Sequence, residues 1–191
     1  QHVPLPLSEV TLDWSVINGE VFERKKSTNL NVLLVAVPHE IINQYQDIAR
    51  LSQIRLLALE AEIFGLIRSL IKGQNKKGAI CIVDFGAQSS TISIIENGSL
   101  KITHSFDVSG NELTRILSKS LNISYNEAEE MKKREGITFS DTHAGRVVSP
   151  LIDLLSVELE RTCRKFYQGG GKEIEKIIVA GGAALLPGFN L

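Results

Sequence analysis

The sequence is short of the features that mark several whole classes of protein. Its 21 Lys and Arg nearly balance 22 Asp and Glu, for a formal net charge of −1. That leaves no basic stripe of the kind a nucleic-acid binder needs, so no nucleic-acid partner is expected. No run of 18 apolar residues occurs, so no segment has the length of a transmembrane helix. The opening "QHVPLPLSEV" has neither an initiator Met nor the charged-then-apolar order of a signal peptide, and reads as an internal start. Low-complexity segments and sequence repeats are absent. Cysteine is limited to Cys81 and Cys163, far apart and without metal-ligand spacing. Each lies in an apolar or helical run, so buried free thiols in a reducing compartment are expected rather than a disulfide. The histidines, His2, His39, His104 and His143, have no catalytic-looking neighbours in the sequence.

What is present suits one ordinary domain or two small ones: 191 residues, 43% of them hydrophobic. The first third reads as a small α/β unit. "EVTLDWSVINGEVFER" carries two strand-like runs around Asn18-Gly19, a hairpin signal. "NVLLVAVP" suits a buried central strand closed by Pro38. "HEIINQYQDIARLSQ" places Ile41, Ile42, Tyr45, Ile48 and Ala49 at helical spacing. A short strand "IRLLAL" and a helix "EAEIFGLIRSLI" follow. The lysine- and glycine-rich "KGQNKKG", residues 72–78, marks the boundary, so residues 1–71 form a small subdomain with a connecting helix.

The second unit opens with three strands, "AICIVDF", "STISIIE" and "SLKITHSFDV", the last two turned antiparallel by Asn97-Gly98. "GNELTRILSKSL" reads as a helix. "SYNEAEEMKKREG" reads as another, with Ser124 as N-cap, Glu127 three residues on and Gly136 as stop. A long amphipathic helix runs from about Ala144 to Tyr167, with a kink near Pro150. A final strand, "KIIVA", runs into "GGAALLPGF", where a helix begins near Ala183. This order is that of a ribonuclease-H-like mixed sheet over residues 79–121 and 176–191. Residues 122–175 form a helical insertion expected to sit apart from the sheet.

Three places carry possible chemistry, each with a plainer alternative. Asp84 ends an apolar strand, and Gly86, Ser89 and Ser90 follow in a hydroxyl-rich turn. A carboxylate beside such donors is what a Mg²⁺–phosphate pair requires, although Asp, Gly and Ser populate ordinary turns as well. Gly181 and Gly182 break a buried strand and permit close backbone contact with a ligand, or make only a tight strand-to-helix turn. Glu129, Lys132 and Lys133 share one helical face, either as a ligand-facing set or as solvated surface charge.

Taken together and in order, "IVDFGAQSSTISII", "DVSGNELTRILSKSLNISYNEAEEMKKREG" and "IIVAGGAALLPGF" resemble the PilM family of type IV pilus assembly proteins. More distantly they resemble the cell-division family FtsA; both are actin-like ATPases. "NVLLVAVPHEIINQYQDIARLSQIRLLALEAEIFGLIRSL" is similar to the extra subdomain of the PilM family and the helix after it, so the resemblance covers nearly the whole chain. It implies an actin-like α/β fold, truncated at both ends here, with ATP and Mg as cofactors. Asp84, Gly86, Ser89 and Ser90 match the second phosphate loop, with Asp84 reaching the metal through water and positioning its waters in any hydrolysis. Glu129, Lys132 and Lys133 match the helix that holds ribose and base. Gly181, Gly182 and Ala183 match the adenosine motif.

Two departures matter. Ala87 and Gln88 stand where many family members carry consecutive glycines. Nothing before residue 82 matches the first phosphate loop, an Asp-x-Gly-Ser/Thr turn, so this stretch by itself is expected to bind nucleotide weakly and to be inactive. The resemblance further implies a cytoplasmic scaffold, at most a slow ATPase. It would be peripheral to the inner membrane through the short cytoplasmic tail of a membrane-anchored PilN-like protein. Other pilus assembly components are implied as partners, and a homo-oligomer is compatible. An FtsA-like division protein and a sugar or acetate kinase of the same superfamily are the alternatives. For the kinase the sequence offers no acceptor pocket and no base.

Overall fold

The computed structural model describes residues 5–16, 32–71, 78–136 and 142–189. It divides into two compact units, Gln1–Gly65 and Leu66–Leu191. In the first, strands β1 (Val10–Val16) and β2 (Val32–Pro38) pair antiparallel, and helix α1 (His39–Leu51) follows β2 directly. The Asn18-Gly19 turn and nearly all of the 72–78 segment lie outside the described residues. The run "IRLLAL" is not a strand: residues 54–61 adopt no regular structure before helix α2 (Glu62–Leu70). A cavity of about 270 Å³ is not here but in the second unit; the first unit has a larger apolar groove of about 640 Å³ among Val35, Val37, Ile41, Tyr45, Leu59 and Phe64.

The second unit is a four-stranded mixed sheet in the order β5-β4-β3-β6. Its strands are β3 (Ala79–Phe85), β4 (Ser90–Glu96), β5 (Ser99–Phe106) and β6 (Ile174–Ala180). β3, β4 and β5 form an antiparallel meander, while β6 joins β3 in parallel. Asn97 and Gly98 both have positive φ, 53° and 76°, the conformation that the tight β4–β5 turn demands and that Asn-Gly supplies cheaply.

Helices α3 (Gly110–Leu121), α4 (Tyr125–Glu135) and α5 (His143–Gln168) complete the unit. α4 starts with the expected capping box, Ser124 accepting from the Glu127 N–H and Glu127 accepting in return, and it stops at Gly136. α5 runs through Pro150 as one helix.

The core lies on one face of the sheet. Val83, Phe85, Ile92 and Ile94 meet Leu113 and Leu117 of α3 and Val148, Ile152, Leu155 and Phe166 of α5. Each fully buried Ile or Leu contributes about 1.5–3 kcal/mol. The helical stretch is therefore not wholly apart from the sheet, because α5 covers it and only α4 stands further out. The structure also ties α5 to β5 through His104 Nε2 and Glu158 Oε2 at 3.0 Å. No helix among the described residues is long and apolar enough to cross a membrane.

Candidate functional site

The site begins with the parallel pairing of β3 and β6. Asp84 stands level with Ala180, so both strands end at one edge of the sheet, the place where open α/β sheets leave a crevice. The chain leaves β6 through Gly181 at φ 91° and ψ 161°, a conformation only glycine adopts readily. A side chain there would overlap the Phe85 carbonyl, and its Cβ would lie 2.7 Å from Asp84 Oδ1. Asp84 and the Gly-Gly corner are thus in contact, across almost a hundred residues of sequence. Gly182 differs. A Cβ on it would meet nothing within 4 Å, so the packing of this chain does not require a glycine there. Instead of a helix at Ala183, one 3₁₀ turn spans Gly182–Leu185, with Ala183 buried.

The β3–β4 hairpin forms the second wall. Gly86 donates to the Ser89 carbonyl at 3.1 Å and closes the loop, while Ala87, Gln88 and Ser89 are exposed. No backbone hydrogen bond within the described residues takes the N–H of Ala87, Gln88 or Ser89. These amides sit on an open tip suited to an anion. The hydroxyls of this stretch divide into two groups. Ser90 is fully buried and donates to the Val108 carbonyl at 2.5 Å. Thr91 pairs with Ser105 and Ser93 with Thr103, forming a cross-strand ladder of hydroxyls. Only Ser89 is left on the tip.

The hairpin is braced from behind by the start of α3. Gly110 N–H donates to the Gly86 carbonyl and Asn111 N–H to the Ala87 carbonyl, both at 2.9 Å. Ser109 caps the helix by accepting from the Glu112 N–H. Gly110 is where the segments meet. A Cβ there would lie 3.6 Å from the Gly86 carbonyl oxygen, 3.7 Å from Ala183 Cβ and 3.7 Å from Lys132 Nζ.

α4 presents the third part. Lys132, only 6% exposed, donates to the Gly110 carbonyl at 2.9 Å and to Thr114 Oγ1 at 2.8 Å, and pairs with Glu129 Oε2 at 2.7 Å. Burial by itself pushes the Glu129 carboxyl up. Hydrogen bonds from Lys132 and Thr114, with the charges of Lys132 and Lys133, outweigh burial and hold the carboxyl below its ordinary value. Lys133 stays exposed, 3.6 Å from Glu129 Oε1 and 3.5 Å from Glu130. Further along, Gly136 packs against Pro187, so the end of α4 touches the segment after the 3₁₀ turn.

The residues singled out in the sequence thus gather at one corner: Asp84, Gly86, Gly181 and Ala183, with Lys132 and Glu129 reached through Gly110. Ser90 and Lys132 face inward as parts of the scaffold. Gly110 and Thr114 lie within the quoted family-like segment, but the sequence assigned neither a role; Gly110 is the first residue of α3. Among the described residues no three His, Cys, Asp or Glu side chains gather into a metal cage. One half-buried carboxylate beside an open donor tip fits a Mg²⁺ ion that keeps most of its waters.

The model of the family "Type IV pilus assembly protein PilM" matches residues 1–191. The chain belongs to that family. Among solved structures it is similar to the PilM–PilN type IV pilus biogenesis complex, at 21% identity and a TM-score of 0.83, covering 98% of this chain and 53% of that one. MreB 5 of Spiroplasma citri bound to AMPPNP is similar over 78% of this chain and 55% of that one, at 20% identity and a TM-score of 0.56. The fold is that of the actin-like proteins. Among curated proteins, the cell division protein FtsA of Enterococcus faecalis is 23% identical over 178 residues, 80% of this chain and 39% of that protein. FtsA of Bacillus subtilis is 33% identical over 73 residues, 38% of this chain and 16% of that protein. The chain therefore spans less than half the length of these curated relatives and about half that of the matched structures.

Proposed function

We propose that this chain supplies one wall of a Mg–ATP site in a scaffold protein of type IV pilus assembly. The observation that carries the reading is the convergence of Asp84, Gly86, Gly110, Gly181 and Ala183 at one corner, beside an open hairpin tip. In this reading the exposed amides of Ala87 to Ser89 meet phosphate oxygens. Asp84 orients waters of the metal, Glu129 accepts from the ribose, and Gly182 lets the nucleoside lie against the backbone. Lys133 lines the base side. ATP bound to Mg²⁺ brings the charge that the tip and Asp84 share between them. The nucleotide would favour one domain arrangement, sensed by the short tail of a PilN-like membrane-anchored partner. That partner would hold the protein at the cytoplasmic face of the inner membrane. Support for the partner comes from the family and from the likeness to the PilM–PilN complex.

Titration calorimetry on the full-length protein tests the site. Asp84→Ala should weaken Mg–ATP binding at least severalfold, and an unchanged affinity would remove the role given to Asp84. ADP release that depends on an added sugar or short carboxylate would instead favour a kinase.

A further inference from the structure

The connection between α4 and the hairpin runs through a side chain to which the sequence assigned no role. Thr114 is fully buried on α3. Its hydroxyl donates to Glu129 Oε2 at 2.5 Å, lies 3.0 Å from the Gly110 carbonyl and accepts from Lys132 Nζ. An ammonium has three N–H donors, and those of Lys132 face three acceptors: Gly110 O, Thr114 Oγ1 and Glu129 Oε2. No donor of Lys132 is left for a ligand. On its other side, Gly110 is hydrogen-bonded to Gly86 and Asn111 to Ala87, the two residues that begin the hairpin loop. An unbroken chain of hydrogen bonds therefore leads from Glu129 through Thr114 and Lys132 to Gly110, and from there to Gly86.

We propose that Thr114 and Lys132 are positioning residues that couple the nucleoside side of the site to its phosphate side, rather than groups that touch nucleotide. The inference rests on the nucleotide-site reading above. Movement of Glu129 toward a ribose pulls on Oε2, hence on the Thr114 hydroxyl and the Gly110 carbonyl, and so shifts the loop that faces phosphate. The Thr114 hydroxyl closes the network, and the whole side chain is buried on α3. Polar groups this deeply buried are costly if one partner is lost, which makes the network an all-or-none connector rather than a loose set of contacts.

The test uses the full-length protein with three probes: adenosine, tripolyphosphate with Mg²⁺, and Mg–ATP. Thr114→Val keeps the shape and removes the hydroxyl; Thr114→Ser keeps the hydroxyl. Thr114→Val is expected to weaken tripolyphosphate binding threefold or more and Mg–ATP fivefold or more, with Thr114→Ser restoring both to within twofold of wild type. Glu129→Gln serves as a second variant in case Thr114→Val does not fold. It should also weaken tripolyphosphate, a probe with no ribose to contact. Loss confined to adenosine in Glu129→Gln, or a folded Thr114→Val protein with unchanged tripolyphosphate binding, overturns the coupling while leaving the nucleotide site intact. Wild-type protein that binds none of the three probes overturns the site reading itself, and the coupling with it.

Discussion

Two adjacent glycines in this chain should respond in opposite ways to the same added methyl group. At Gly181 the backbone is in a region that costs a non-glycine residue about 1–3 kcal/mol, and the new Cβ would also overlap the Phe85 carbonyl beside Asp84. Forcing a methyl into packed surroundings adds about 1–3 kcal/mol. Gly181→Ala should therefore destabilise the protein by about 2–6 kcal/mol. At Gly182 the methyl meets nothing within 4 Å and the backbone is not left-handed, so Gly182→Ala should be neutral or slightly stabilising, by up to about 1 kcal/mol. Denaturant unfolding followed by far-UV circular dichroism measures both. If the open space beside Gly182 belongs to a ligand, Gly182→Ala should nonetheless weaken Mg–ATP fivefold or more in calorimetry. Equal destabilisation by the two variants would refute the geometry of the corner. A stable Gly182→Ala protein with wild-type affinity would refute the idea that nucleotide lies against this backbone.

Three further outcomes follow from the two thiols and a buried hydroxyl. Cys81 and Cys163 are free thiols, and burial, with the neighbouring Cys163 second, pushes the Cys81 thiol up to about 12 from an ordinary 9.0. The folded protein then holds a proton that the unfolded chain releases, so stability should fall as pH rises above about 9 toward 12. Iodoacetamide at pH 8 should label Cys163 well before Cys81, and equal labelling rates in native protein would contradict this burial. Ser90→Ala removes the buried donor to Val108 and should cost about 1–2 kcal/mol in the same unfolding assay. A neutral result would return Ser90 to the ligand-facing tip.

The parts of this fold that were legible in the sequence are those fixed by local chemistry. The Ser124–Glu127 capping box, the Asn97-Gly98 turn and the Gly136 stop depend on a few neighbouring residues, and each appears where its residues stand. "IRLLAL" failed as a strand because Ile54 is its one β-branched residue and a short apolar run becomes a strand only where a partner offers a ladder. α5 was recognisable as amphipathic, but its apolar stripe of Val148, Ile152 and Leu155 does not say which surface it covers. The inward direction of Ser90 could have been read. Alternation along β4 puts it on the same face as Ile92 and Ile94, both fully buried in the core. Thr114 gave no such signal, because a threonine inside a helix looks the same whether its hydroxyl faces solvent, its own backbone or a buried network.

Asp84 and the hydroxyls around it can now be separated by what they do. A helix N-terminus is a ready anion site, yet the first amides of α3 are already used: Gly110 on Gly86, Asn111 on Ala87 and Glu112 on Ser109. α3 therefore supports the hairpin instead of binding phosphate directly, and its dipole still places partial positive charge behind the loop. The inward hydroxyl of Ser90 and, on the other face of β4, those of Thr91 and Ser93 lock the strands that carry the loop. On the proposed nucleotide reading, what remains for an anion is the tip of Ala87, Gln88 and Ser89, with Asp84 beside it to receive a hydrated cation. The alanine and glutamine at this tip cost little in such an arrangement, since the contribution asked of them is a backbone N–H, which glycine would supply no better once α3 holds the loop in place.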